Sequence, residues 1–261
     1  MLQCGTTWTQ ELAWLILHDA DTKSAEERFL FERSPFLEFP LVIDSSPEAV
    51  ASFFEGLEGM PSPRLIKSHL PFELLPEGLV DTCKVIFVSR NVKDVVVSYF
   101  HHEELMKTHG LLAGFENYAR TIFRQSLCCF GGYFEMLESG WKRKESPNLL
   151  FLWYESMKED QEVAIRKIAD HIGVKLSAEA VDKIASFGKF ENYQKKSTWN
   201  RFESQWWNEG KGEFIRKGQV GDWVNHFTPE LTAEYDAWIR EELTRLDLTD
   251  PEIVSYFQIQ D

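Results

Sequence analysis

Four short stretches of the 261-residue chain hold side chains whose types and spacing suit chemistry on an anion or a hydroxyl group. Gly5-Thr6-Thr7-Trp8 stands where a helix is expected to begin. A glycine there lets the backbone approach a phosphate. The next amides point at that phosphate with the helix dipole behind them, and two threonine hydroxyls add donors. An ordinary helix start would use the same residues. Arg90 and Ser98 are separated by about two helical turns and offer a planar fork for phosphate oxygens plus one further donor. They read equally as a surface arginine and a mid-helix serine bonded back to its own helix. Arg216-Lys217-Gly218 sets two cations beside a flexible residue, which makes either a phosphate loop or a solvated one. His69, two residues after Lys67, is the best candidate base, because an imidazole titrating near neutrality can take a proton from a hydroxyl. A structural loop histidine is the plain alternative. His101 and His102 compete for that role, but neighbours on a helix point apart. No third ligand is spaced for a metal, so no metal is expected.

The composition sharpens these candidates. The net charge is −14, so the chain has no overall attraction for nucleic acid or an anionic membrane, and any polyanion must be held by a local cluster of cations. Hydrophobic residues make up 43% and charged residues 27%, the balance of a globular chain. Nine Trp and twenty Phe exceed what a core of this size needs and fit an apolar ligand pocket. No signal peptide and no long apolar run is present, so a cytoplasmic location is expected. Cys4, Cys83, Cys128 and Cys129 lack metal-ligand spacing, and reduced, mostly buried thiols are the simplest reading.

The elements that must position these groups alternate. A helix is expected from a Thr7 cap to about His18, with Trp8, Leu12, Leu15 and Ile16 on one face. Ser46-Pro47 opens a second helix toward Gly56. Arg64–Lys67 reads as a short strand leading into Ser68-His69-Leu70-Pro71. Lys84–Ser89 is a nearly continuous apolar run, as expected of a strand covered on both faces, and leads into a helix over Val95–Leu105. Helical patterns fill Phe115–Arg143, then Leu149–Trp153 is a strand. Further helices are expected at Glu159–Ile172, Ala178–Phe187 and Glu230–Leu246. Strands separated by helices imply an α/β, three-layer sandwich around a central parallel sheet, in one domain spanning residues 1–261. Ligands of such sheets bind beyond the carboxyl ends of the strands, where His69, Arg90 and Tyr154 all fall.

Taken together and in order, CGTTW, RSPFLEFP, KSHLP, VSRNVKDVVVSYFHH, LFLWYESMKED and FIRKGQVGDW resemble the cytosolic sulfotransferases from Gly5 to about Phe227. The likeness is greatest to invertebrate members, including insect enzymes of the retinol-dehydratase type. It implies the sulfotransferase variant of the P-loop-containing nucleotide hydrolase-like fold. It also implies 3′-phosphoadenosine 5′-phosphosulfate (PAPS) as co-substrate, no metal, and a small-molecule hydroxyl acceptor such as a phenol, alcohol, steroid or retinoid. By that resemblance the loop Gln3-Cys4-Gly5-Thr6-Thr7 holds the 5′-phosphosulfate. Arg90, Ser98, Arg216, Lys217 and Gly218 take the 3′-phosphate, and Trp8, Tyr154 and Phe190 pack around the adenine. His69 is the implied base, Lys67 the lysine near the transferring group, and Phe36 borders the acceptor pocket.

Departures from the family pattern fall in two regions, the first loop with what precedes it and the segment near Val224. Its loop carries a lysine where this chain has Gln3, which donates a hydrogen bond but brings no charge. Family members carry a first strand before this loop, and only Met1-Leu2-Gln3 precede it here, so that strand is expected to be missing. The family's dimer segment, Lys-x-x-x-Thr-Val-x-x-x-Glu, falls on Val224, Thr228, Pro229 and Ala233, without either charged end. A homodimer is thus possible, but not through that segment. The alternative activity is a nucleotide-binding protein of impaired catalysis. A nucleotide kinase is disfavoured by the lack of a G-x-x-x-x-G-K-[ST] loop.

Overall fold

The computed structural model describes residues 3–40, 44–128, 130–196, 198 and 207–259. Its centre is a parallel pair of strands, β1 (Val85–Ser89) and β2 (Leu149–Trp153), in register from Val85 opposite Leu149 to Ser89 opposite Trp153. Successive side chains of a strand leave on opposite faces, and here the two faces feed two separate cores. Phe87, Leu149 and Trp153 enter one core, with Phe151 packed on it. Val88 and Leu152 enter the other, with Ile86 and Leu150 packed on it. A sheet apolar on both faces needs a helical layer on each, which gives the three-layer α/β arrangement.

On the first face lie α3 (Val92–Leu105), α4 (Tyr133–Trp141) and α9 (Pro229–Arg245). On the second lie α1 (Thr6–Leu17), α6 (Gln161–Ile172) and α7 (Ala178–Gly188). The remaining helices used below are α2 (Pro47–Gly59), α5 (Tyr154–Glu159), α8 (Phe190–Lys196) and α10 (Pro251–Tyr256). Starts are fixed by caps that satisfy otherwise orphaned amides. Asn91 accepts from Lys93, Asp160 from Val163, Ser177 from Ala180 and Thr228 from Leu231, while Ser46 caps α2 with Pro47 in its first turn. No helix of the described residues is long and apolar enough to cross a membrane.

Four expectations are corrected. The cap of α1 is Gly5, in the left-handed region at φ 88°, rather than Thr7, and every residue from Thr9 to Ile16 is buried instead of one face. Arg64–Lys67 makes only an isolated parallel bridge, Lys67 to Phe36, because no second residue of the segment finds a partner strand. The helical stretch 115–143 is interrupted: Ser126, Phe130 and Gly131 take positive φ, so the chain turns at the Gly131-Gly132 pair before α4 begins. Of the cysteines, Cys4 is buried, Cys128 half-buried and Cys83 exposed, all three as free thiols; Cys129 lies outside the described residues.

One buried ion pair ties α1 to the segment that follows it. Arg33 Nη1 lies 2.8 Å from Glu11 Oε1, and Nη2 donates to Glu11 Oε2 at 3.0 Å. The guanidinium stacks 4.3 Å above the Trp14 ring. Beside it Gln10 donates to the Ser34 carbonyl at 2.7 Å, which fixes the start of the Ser34-Pro35-Phe36 run. Burial raises the Glu11 pKa, and Arg33 partly counters it. Removing one partner strands the other charge away from water. Glu11→Ala should therefore lower stability by about 3–5 kcal/mol in urea unfolding. A loss below about 1 kcal/mol, the range of an exposed pair, would mean that water reaches Arg33.

Candidate active site at the carboxyl ends of the strands

The register of β1 and β2 ends with Ser89 beside Trp153, so the next residues, Arg90 and Tyr154, leave the sheet side by side. The Arg90 guanidinium lies 4.5 Å over the Tyr154 ring. Its Nη2 donates to the Gln219 carbonyl at 2.7 Å and lies 3.5 Å from Asp94 Oδ2. The Arg90 carbonyl accepts from Tyr133 Oη at 2.7 Å, which anchors the backbone from behind. Arg90 Nε is buried and makes no hydrogen bond among the described residues. A buried donor left open in this way is available to an acceptor that enters the cavity.

Gly5 faces the same place. With φ 88° it occupies a conformation that favours glycine, and a Cβ there would collide with the Tyr154 ring. The glycine thus lets the loop at the start of α1 close onto the strand ends. Trp8 is locked by Nε1 donating to the Gly188 carbonyl at 3.0 Å and meets Tyr154 edge-on at 5.8 Å. Ser98 Oγ donates to Gln3 Oε1 at 2.9 Å, joining α3 to the loop.

The third wall is the loop after α8. Arg216 and Lys217 both pair with Asp222, at 2.8 and 2.7 Å. Burial works against the Asp222 carboxylate, but hydrogen bonds from Lys217 and Arg216 overcome it and hold its pKa well below the usual range. Asp94, on α3, accepts from the amides of Gly221 and Trp223 at 2.7 and 3.0 Å and so pins that loop to the helix that follows Arg90. Gly218, at φ 62°, sits against Phe190, where a Cβ would strike the ring.

The fourth wall is built by the Phe36–Lys67 bridge, in which Leu37 N donates to the Lys67 carbonyl and Lys67 N to the Pro35 carbonyl, both at 2.8 Å. Two residues on, His69 is buried, with its amide 3.3 Å from both carboxylate oxygens of Glu38 and its ring between Phe36 (5.1 Å) and Phe130 (5.6 Å). Ser68 Oγ donates to the same Glu38 carboxylate. The Lys67 ammonium sits 4.7 Å over the Phe36 ring. His69 Nδ1 makes no hydrogen bond among the described residues. Burial, then the field of Lys67, lowers the His69 pKa well below the ordinary histidine value, so the ring is neutral near pH 7.

These walls enclose one cavity of about 530 Å³. Its lining combines the cations Lys67, Arg90, Arg216 and Lys217 with the aromatic rings of Phe31, Phe36, Phe39, Phe130 and Phe214. A base, a set of anion-binding groups and an apolar wall therefore share one space, which is what a group transfer from an anionic donor to an apolar hydroxyl compound requires.

The chain matches the family model described as "Sulfotransferase domain" over residues 1–247. The chain is a member of the sulfotransferase family. Sulfotransferase 1E1 of Bos taurus is 35% identical over 242 residues, which are 92% of this chain and 80% of the relative. Sulfotransferase 1B1 of Canis lupus familiaris is 34% identical over 243 residues, with the same two coverages. Among solved structures, retinol dehydratase in complex with androsterone and the inactive cofactor PAP superposes with a TM-score of 0.83. It is 29% identical, and the match covers 96% of this chain and 81% of that one. A second crystal structure of retinol dehydratase, in a complex with retinol and PAP, gives 0.82 at 29% identity over 93% of this chain and 79% of that one. The fold expected from the sequence is thus that of the family, and the chain is an enzyme of the sulfotransferase class.

In this sulfotransferase, Gln3, Gly5, Thr6, Thr7, Trp8, Phe36, Lys67, His69, Arg90, Ser98, Tyr154, Phe190, Arg216, Lys217 and Gly218 all line the cavity. Cys4 does not. Its side chain is fully buried in the core beneath the loop, and burial pushes the thiol up to about 12, so it stays protonated and inert. Of the histidine pair, His102 reaches the cavity, and His101 instead approaches Glu104 at 3.6 Å. Lys158, one turn along α5 from Tyr154, is a further cation on the wall, 5.6 Å from the Trp8 ring. Glu38, Asp94 and Asp222 hold the cavity's cations and loops from behind. Nothing in their spacing marks them, since each acts on a segment far away or through backbone amides.

The buried neutral ring of His69 has a consequence for stability. In the unfolded chain it would titrate near pH 6.5, so below that pH the unfolded state binds a proton that the folded state refuses. Its contribution is therefore intact above about pH 6.5 and is lost as pH falls, with a slope of up to about 1.4 kcal/mol per pH unit. Urea midpoints at about pH 7 and about pH 5.5 should drop less in His69→Gln than in the native chain. Equal drops would show that His69 protonates freely in the folded state.

Proposed function

We propose that this sulfotransferase transfers a sulfuryl group from PAPS to the hydroxyl of a small, largely apolar acceptor, within a single domain spanning residues 1–261. One observation carries the reading: His69 and the donor-rich strand ends line the same cavity. The residues fit the nucleotide. Arg90 Nε is an unsatisfied buried donor at the wall, and Gly5 and Gly218 are both places where a Cβ would fill the cradle. The amides and hydroxyls at Gly5-Thr6-Thr7 would hold the 5′ end, where the dipole of α1 favours negative charge. Arg90, Ser98, Arg216 and Lys217 would hold the 3′-phosphate, and Trp8, Tyr154 and Phe190 would pack on the base.

When bound, PAPS supplies a sulfuryl group joined to a phosphate oxygen, and the reaction exchanges that sulfur–oxygen bond for one to the acceptor. The chain's part is positional and electrostatic. His69, neutral near pH 7, takes the acceptor's hydroxyl proton, and its aromatic neighbours keep water away from the reacting oxygen. Lys67 sets positive charge beside the site of transfer. The aromatic wall favours a flat, extended acceptor, and the retinol dehydratase complexes named with androsterone and with retinol support a steroid- or retinoid-like class.

A second reading rests on Gln3, which meets the cavity without a charge and is already engaged by Ser98. It makes the chain a nucleotide-binding protein of weak turnover. Calorimetry separates the possibilities. The chain should bind 3′,5′-adenosine bisphosphate far more tightly than adenosine monophosphate, and Arg216→Ala should abolish most of that preference. Equal affinity for the two nucleotides would remove the assigned 3′-phosphate site. His69→Ala should end turnover with a phenol and steroid panel while binding is retained; near-native turnover in that variant would take His69 out of the reaction. Gln3→Lys should raise turnover on the order of a hundredfold, the size of one lost oxyanion donor. An unchanged rate would show that charge at this position does not limit transfer.

A further inference from the structure

Beside the cavity lies a group of polar side chains to which the proposed transfer assigns no role, two of them, His102 and His109, on its lining. There α3 ends at Leu105, and a turn in which His109 N donates to the Met106 carbonyl at 3.2 Å brings the chain back toward the helix. The turn is pinned by an antiparallel bridge between Met106 and Trp207. As a result His102, Glu103 and His109 each place one ligand atom within 4.8 Å of the others. His109 Nδ1 is 2.8 Å from Glu103 Oε2, and the His102 and His109 rings meet edge-on with centroids 5.6 Å apart. His102 Nδ1 is buried and makes no hydrogen bond among the described residues.

We propose that His102, Glu103 and His109 form a binding site for a divalent transition cation of the zinc class. Two imidazoles and one carboxylate are the donor set that zinc, cobalt and nickel accept, whereas magnesium and calcium require oxygen ligands. Bond lengths of about 2.0–2.2 Å place the ligand atoms of a tetrahedral site roughly 3.3–3.5 Å apart. Closing from 4.8 Å therefore asks for a shift of about an ångström, within reach of side-chain rotation on a four-residue turn. Glu103 supplies the negative charge that offsets Lys67, whose field reaches His102. Three protein groups leave a tetrahedral cation one open position, and two of the three, His102 and His109, line the cavity. The cation would there meet an oxygen or nitrogen of whatever ligand occupies the cavity.

The argument for this site does not rest on the proposed sulfuryl transfer, and its test reads binding instead of activity. Calorimetric titration of the full chain with zinc chloride, in a Cys83→Ser background that removes the exposed thiol, should give one bound ion per chain. Glu103→Gln and His109→Gln, both at side chains partly open to solvent, should each weaken that binding by at least tenfold with circular dichroism unchanged. Titration with cobalt should give the visible absorption of a low-coordinate site, lost in the same two variants. No zinc heat above buffer, or affinity and stoichiometry in both variants identical to the parent, overturns the proposal and leaves the group a Glu103–His109 contact beside His102.

Discussion

The whole site depends on the pairing register of two five-residue strands. Because Ser89 sits opposite Trp153, Arg90 and Tyr154 emerge at the same level and stack. A shift of one residue would turn every side chain of β2 to the other face, exchanging the contributions of Phe151 and Leu152 to the two cores. The cost of that exchange in buried apolar area is what holds the register. The chemistry at the strand ends is therefore specified by packing some distance beneath it. Tyr133 makes the link directly, since its ring lies in the core and its hydroxyl donates to the Arg90 carbonyl.

A second constraint is charge. A chain of net charge −14 must gather cations locally to hold an anion, and gathered cations repel one another. Buried carboxylates resolve the conflict. Asp222 bridges Arg216 and Lys217, and Asp94 lies near Arg90 while it binds the backbone of the loop that carries the other two. The cations are thereby placed before any ligand arrives, so less conformational entropy is lost on binding. Each carboxylate also offsets part of the positive field, while Arg90 Nε makes no hydrogen bond among the described residues.

Much of this was legible in the sequence, and the failures have identifiable causes. Leu149–Trp153 was readable to the residue, and Lys84–Ser89 to within one, because a strand buried on both faces writes an unbroken apolar run. Arg64–Lys67 read as a strand from local composition, but a strand exists only through its partner, and Lys67 alone finds one. The break near Gly131 had a signal in the Gly-Gly pair that the helical periodicity on either side outweighed. Most of the cavity wall was nameable from ordered motifs. The Cys4 side chain lies in the core and not on the cavity, because adjacency in a loop says nothing about which side chains turn inward. Glu38, Asp94 and Asp222 were missed for the converse reason: they act through backbone amides or on distant loops, and such contacts leave no periodicity.

The surroundings of His69 separate two properties that the proposed base needs. Orientation comes from the backbone, since Glu38 grips the His69 amide and the Ser68 hydroxyl rather than the ring. Protonation state comes from burial and from Lys67, which together favour the neutral imidazole. A carboxylate on the ring itself would have done the reverse, raising the pKa and filling one nitrogen. Placing Glu38 one bond network away keeps its charge at the loop while the ring stays unprotonated between Phe36 and Phe130. The imidazole is thus ready to accept a proton, and the imidazolium it would form is disfavoured by the same burial. On the proposed mechanism that unfavourable product gives its proton up readily, so the burial that keeps the ring neutral would also restore it.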